Sequence, residues 1–191
     1  MDLTKGTEEE KIKRSKKMML WFAIISMGMM FAGITSGYIV SRNRPDWISD
    51  FELPTSFLWS TLIIILSSVT LYFVKPLIIK EKRTNATLLM FVTLLLGAAF
   101  IGLQFVGFQQ ILAEGYYFTG SASSITTTFV YLIVIAHIVH VAAGLIVLLV
   151  LIYNHFKQKY NANNMLGLEL AANFWHFVDL LWLVLFLFLY F

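Results

Sequence analysis

Apolar residues along this chain gather into five long blocks, at about 18-40, 57-79, 86-113, 125-153 and 170-191, divided by short polar segments. At about 1.5 Å per residue, each block can cross roughly 30 Å of hydrocarbon as a helix. The pattern predicts an all-α integral membrane bundle of five transmembrane helices. A polar tail, 1-17, precedes one membrane domain, 18-191, and the connections are too short to hold a soluble domain. No inverted repeat of the kind that marks many transporters is visible.

The block ends agree with this reading. "ELPTSF" puts Pro54 and two hydroxyl residues ahead of the second block, the signature of a helix N-terminus. Gly33 and Gly37 lie four apart on one face of the first block, Gly97 and Gly102 lie in the third and Gly144 in the fourth. Small residues there let helix backbones approach closely, either for ordinary packing or for a dedicated contact with another chain. The first block is too long for a cleaved signal peptide, follows a tail of mixed charge and lacks a small-x-small site after it.

Composition removes several chemistries. Of the 191 residues, 59% are hydrophobic and 13% charged, and the mean hydropathy of +0.77 is far above that of a soluble domain. With no cysteine there is no disulfide, thiolate nucleophile, iron–sulfur ligand or thioether haem attachment. A metal would have to bind through His, carboxylate or Met. The net charge of +3 says less than its placement. Lys5, Lys11, Lys13, Arg14, Lys16 and Lys17 precede the first block, Lys75 closes the second and Lys80, Lys82 and Arg83 follow it, and Lys157 and Lys159 follow the fourth. These are twelve of the fourteen basic residues. Arg42 and Arg44 stand in the first connection beside Asp46, Asp50 and Glu52. The bias places the N-terminus inside and the C-terminus outside.

Ionisable residues within a membrane span are costly and mark function or structure that needs them. "AHIVHVAAG" sets His137 and His140 three apart on one face of the fourth block. In the fifth, Glu169, Asn173, His176 and Asp179 fall within an arc of roughly 120° at about 100° per residue. They form one polar stripe, and the opposite face, with Phe174, Leu181, Leu185 and Phe188, is free to meet lipid or a partner. Counted at 1.5 Å per residue, His140 and His176 lie roughly 8–9 Å from the same membrane face, and His137 lies near Asp179. A His–Asp hydrogen bond between the spans is therefore expected. A metal or haem site, a proton path and a lock between the two helices could each use these groups. The carboxylates are too few for a di-iron site, and Ser26, Ser67 and Ser68 carry no motif that marks a nucleophile.

The stretch "GLELAANFWHFVDLLWLVLFLFLY" (167-190) resembles the last helix of subunit III of the haem–copper respiratory oxidases, cytochrome c and quinol oxidases alike. "AHIVHVAAG" (136-144) resembles that family's preceding helix, and "LLLGAAFIGLQ" (94-104) and "TSFLWSTLIIILSSVT" (55-70) are weaker matches in the expected order. The resemblance implies the short, five-helix form of a non-catalytic subunit in a bacterial cell (inner) membrane. It stabilises subunit I, supports proton uptake, and packs beside subunits I and II, with phospholipid as the ligand open to it. Haem and copper would belong to the partner subunits, this chain holding no metal, no cofactor and no nucleic acid. A larger respiratory supercomplex is a further expected partner. His137, His140, Glu169, Asn173, His176 and Asp179 become a structural polar network. Short forms usually carry a buried carboxylate after an Ile-Ser pair; here Met27 stands in that place, so the proton role of that acid is not carried over. The alternatives are an accessory subunit of a quinol oxidase or nitric oxide reductase, or, in a different class, a stand-alone His-ligated membrane cytochrome or metalloprotein.

Overall fold

The first helix starts before its hydrophobic block does. In the computed structural model, which describes residues 6–48, 51–120, 123–160 and 164–191, α1 spans Glu8–Val40 and opens on a capping box. The Thr7 hydroxyl accepts from the Glu10 N–H at 3.3 Å, and the Glu10 carboxylate accepts from the Thr7 N–H at 3.0 Å. Glu8–Lys11 and Glu9–Lys13 pairs support the first turns. Residues of the expected tail are thus helical from Glu8 and continuous with the first span. Lys5 and Asp50, counted in the charge pattern, lie outside the described residues.

A single 3-10 turn (Ser41–Asn43) ends α1. The second block is divided into α2 (Thr55–Tyr72) and α3 (Val74–Ile79), joined at Phe73. Pro76 explains the break, because it lacks the N–H that would bond to the Tyr72 carbonyl and its ring crowds that carbonyl. The remaining helices are α4 (Arg83–Ala113), α5 (Ile125–Phe156, capped by Ser124) and α6 (Leu166–Tyr190). Five helical segments are long and apolar enough to cross a membrane. Among the described residues there is no strand, only an isolated bridge between Tyr117 and Ser123.

Contacts α2–α4, α4–α5, α5–α6 and α6–α2 close a four-helix ring, and α1 lies against α5 and α6. The ring is drawn tight around Trp175 of α6, which is fully buried. A Cβ added at Gly97 on α4 would stand 2.7 Å from the Trp175 ring, and one at Gly144 on α5 would stand 2.9 Å from it. Both helices approach α6 because neither carries a side chain there. Gly37 approaches Phe129 at 3.2 Å on the same measure. Among the described residues, a Cβ at Gly33 or Gly102 would meet nothing within 4 Å, because both are exposed on the outside of their helices.

Lipid tails are as apolar as leucine, so close packing and interhelical hydrogen bonds carry the association of these helices. Gly97→Ala is expected to lower the thermal stability of the detergent-solubilised chain by about 1–3 kcal/mol through overpacking. Gly102→Ala should leave it unchanged within about 0.5 kcal/mol. Equal melting temperatures for the two variants would contradict the seat assigned to Trp175.

Candidate functional site

The hydroxyl residues of α2 organise the polar interior. Ser56, Ser60 and Ser67 share one helix face, at spacings of four and seven. Ser56 donates to the Gln110 side-chain oxygen of α4 at 2.9 Å, Ser60 accepts from Gln104 Nε2 at 2.8 Å, and Thr70 meets Thr93 at 2.8 Å. Toward α6, Ser67 accepts from the Trp175 indole N–H at 2.9 Å and Thr61 accepts from that of Trp182 at 2.9 Å. Ser68 pairs with His176 Nδ1 at 2.5 Å, and Lys75 of α3 bonds to Glu169 at 2.8 Å. These serines and threonines were missed as partners when only ionisable residues were considered. Their helical spacing was the available signal.

The stripe on α6 therefore turns toward α2 and α3 rather than toward α5. Glu169 pairs with Lys75 and, at 3.6 Å, with Lys17 of α1. Asn173 is exposed, His176 is half-buried and Asp179 is only 4% exposed. On α5, His137 is sealed among the rings of Phe31, Phe100 and Trp182, with centroids 6.2, 5.8 and 4.9 Å away. Among the described residues, neither His137 nitrogen and neither Asp179 oxygen has a hydrogen-bond partner, so the expected His137–Asp179 bond does not form. His140 lies 5.6 Å from the Phe31 ring, and its Nδ1 donates to the Ala136 carbonyl of its own helix at 2.7 Å.

Equal depth does not decide which neighbour a helix face meets. Trp175, Val178, Trp182 and Leu185 form the buried face of α6, and this bulk takes the interior and leaves the stripe at the edge beside α2. The face expected to meet lipid is correspondingly turned inward: Leu185 is buried and the Phe188 ring lies 5.4 Å from that of Tyr38.

Outside the ring, two clefts run between α2–α3 and α6. One, of about 570 Å³, is lined by Lys75, Lys80, Glu169, Asn173 and His176 among others. The second, of about 450 Å³, has Ser68, His176 and Asp179 at its wall. Tyr72 and His176 line both, so the clefts adjoin. Among the described residues, no three His, Asp or Glu side chains converge as a metal-ligand set.

Residues 3–191 match the family model for cytochrome c oxidase subunit III. The chain belongs to this family. It is 29% identical over 185 residues to cytochrome c oxidase subunit 3 of Bacillus sp. (strain PS3), which covers 93% of this chain and 86% of the relative. It is 32% identical over 174 residues to cytochrome bo(3) ubiquinol oxidase subunit 3 of Pseudomonas aeruginosa, covering 89% and 81%. Cytochrome c oxidase subunit 3 of Thermostichus vulcanus is 30% identical over 174 residues, covering 87% and 82%. Five apolar helices and this membership make the chain a multi-pass membrane protein of the haem–copper oxidase subunit III type.

Two substitutions separate satisfied from unsatisfied groups in this subunit III. Ser67→Ala strands the buried Trp175 N–H and should lower the stability of the isolated chain by about 1–2 kcal/mol. Asp179→Asn keeps the side chain's size and its place beside Ser68, and should not lower stability by more than about 0.5 kcal/mol. Thermal unfolding in detergent checks both, and a large loss for Asp179→Asn would reveal a partner within the chain.

Proposed function

We propose that the chain is the non-catalytic subunit III of a bacterial haem–copper terminal oxidase, which reduces oxygen to water and translocates protons. It packs beside subunits I and II in the cell (inner) membrane, stabilises subunit I over many turnovers and supports its proton uptake. The family match across residues 3–191 carries this reading. The use of the intramembrane polar groups supports it: His176 is held by Ser68, Glu169 by Lys75, and His137 is walled in by aromatic rings. Haem and copper, in this reading, belong to the partner subunits and supply the redox chemistry there.

The basic residues of the start of α1, the α3–α4 connection and the end of α5 gather at the bundle end where Lys17 and Lys75 meet Glu169. By the positive-inside rule that end faces the cytoplasm, with the N-terminus inside and the C-terminus outside. Met27, 7% exposed, stands in the core where short forms of this family usually carry an acid. Support of proton uptake is therefore assigned to the subunit's effect on subunit I, without a proton-carrying residue at that position. Phospholipid at the outer surface and membership of a larger respiratory assembly complete the proposed setting. The donor, cytochrome c or quinol, is set by the other subunits, and relatives named for both kinds of oxidase match this chain.

Mild-detergent purification of the tagged chain, with visible spectra and metal analysis, tests the reading. Haem and copper are expected in the complex and neither in the isolated chain. Haem retained by the isolated subunit and lost in His140→Ala or His176→Ala would sink it, in favour of a stand-alone cytochrome. In the assembled complex, His176→Leu should leave the initial rate of oxygen reduction within about twofold and shorten the lifetime of activity, because a lost buried hydrogen bond costs about 1–3 kcal/mol. An immediate loss of oxygen reduction in a fully assembled variant would count against an accessory role.

A further inference from the structure

We propose that the adjoining clefts between α2–α3 and α6 bind a long-tailed quinone or its quinol, the ring held by Asn173 and His176 and the tail lying between α2 and α6. Such a site depends on the clefts and on the membrane setting, and not on which enzyme the subunit serves.

Two polar groups without partners mark the place. His176 is half-buried, and its Nδ1 is taken by Ser68 at 2.5 Å. Among the described residues its Nε2 has no partner, yet it is not sealed in as the polar atoms of His137 and Asp179 are, and His176 lines both clefts. Asn173, one turn earlier on the same helix face, is exposed in the first cleft, and among the described residues its amide is unbonded. Along α6 these two lie about 6 and 10 Å deeper than Glu169, which holds Lys17 and Lys75 at the mouth. Unbonded polar groups at that depth are costly, because no water is at hand to satisfy them.

Depth and charge select the ligand. A phospholipid keeps its phosphate at the mouth with Lys75 and Lys80, and its acyl chains offer His176 neither donor nor acceptor. A soluble anion is excluded from hydrocarbon altogether. A quinone is uncharged, dissolves among the acyl chains and carries an oxygen on each side of its ring. Asn173 and His176, at i and i+3, stand about 5–6 Å apart at Cβ, so each can take one ring oxygen. The amide supplies both a donor and an acceptor. Nε2 donates when Ser68 gives its proton to Nδ1 and accepts when Ser68 receives one, so the oxidised and the reduced ring are both held. Tyr72 lines both clefts and brings an aromatic side chain to the ring's place, while Ile65, Val69, Leu180 and Leu183 make an apolar bed for the tail. The first cleft, about 570 Å³, falls within the roughly 300–1,000 Å³ of small-molecule sites, which are likewise mostly apolar with a few placed polar groups.

The test uses the purified full-length chain in phosphatidylcholine nanodiscs and a photoreactive azidobenzoquinone with a decyl tail. After irradiation, adducts are mapped by mass spectrometry, with unlabelled decylbenzoquinone as competitor. Adducts are expected at Tyr72 and Leu180 and should be displaced by the competitor, with none above background at Leu95, exposed on α4. Replacing part of the phosphatidylcholine with phosphatidylglycerol should leave them unchanged. Asn173→Leu should raise the half-displacing quinone concentration about tenfold, the loss of roughly one hydrogen bond, and Asn173→Gln should restore most of it. Asn173 has no bond to lose in folding, and equal melting of parent and variant chains ties the change to the cleft. Labelling spread evenly over Leu95 and the clefts, or displaced by phosphatidylglycerol, overturns the proposal. So does an Asn173→Leu chain that binds like the parent, or a chain that takes no label.

Discussion

The indole of Trp175 is the contact on which the bundle depends. It is fully buried on α6, lies where Gly97 of α4 and Gly144 of α5 have no side chain, and donates its N–H to Ser67 of α2. One residue therefore touches every other helix of the ring. The two glycines supply space and the serine supplies the only kind of contact that lipid cannot imitate, a satisfied polar group. In water such a ring would be driven together by burial of apolar surface. Within a bilayer that drive is absent between helices, and fit plus hydrogen bonding must replace it.

The rest of the polar interior extends the same solution along α2. Its serines and threonines hold α4 through Ser56, Ser60 and Thr70, and hold α6 through Thr61, Ser67 and Ser68. Hydroxyls suit this position because they can return a bond to the backbone of their own helix while pairing across to another. Ser60 and Thr61 both donate to the Phe57 carbonyl. At the basic end, Glu169 draws Lys75 and Lys17 together and so ties α1, α3 and α6. These partly exposed pairs contribute modestly, on the order of 0–1 kcal/mol each. Their effect is to hold the bundle's mouth in register.

Against this background the residues that first suggest an active site divide into two kinds. His176 and Glu169 are committed to helix contacts within the chain. His137 and Asp179 are both buried, and among the described residues neither has a hydrogen-bond partner, His137 being enclosed by the rings of Phe31, Phe100 and Trp182.

Much of this architecture was legible in the residues alone. Five apolar blocks became five spanning segments, and the arc of Glu169, Asn173, His176 and Asp179 is one stripe on α6. The family could be read from the Trp175–Asp179 run and its neighbours. These features are local, set by helical period and by the length needed to cross hydrocarbon. Which side of α6 the stripe meets could not be read from depth and period, because both leave the helix free to rotate about its axis. That rotation was decided by bulk: Trp175 and Trp182 needed the ring's interior, with Gly97 and Gly144 making room for the first. The stripe then fell beside α2, His137 lost its expected aspartate, and the hydroxyls of α2 became the partners. Helices and their identity followed from the sequence by itself, and the pairing of their polar groups followed from tertiary packing, because the largest side chains choose first where space is scarce.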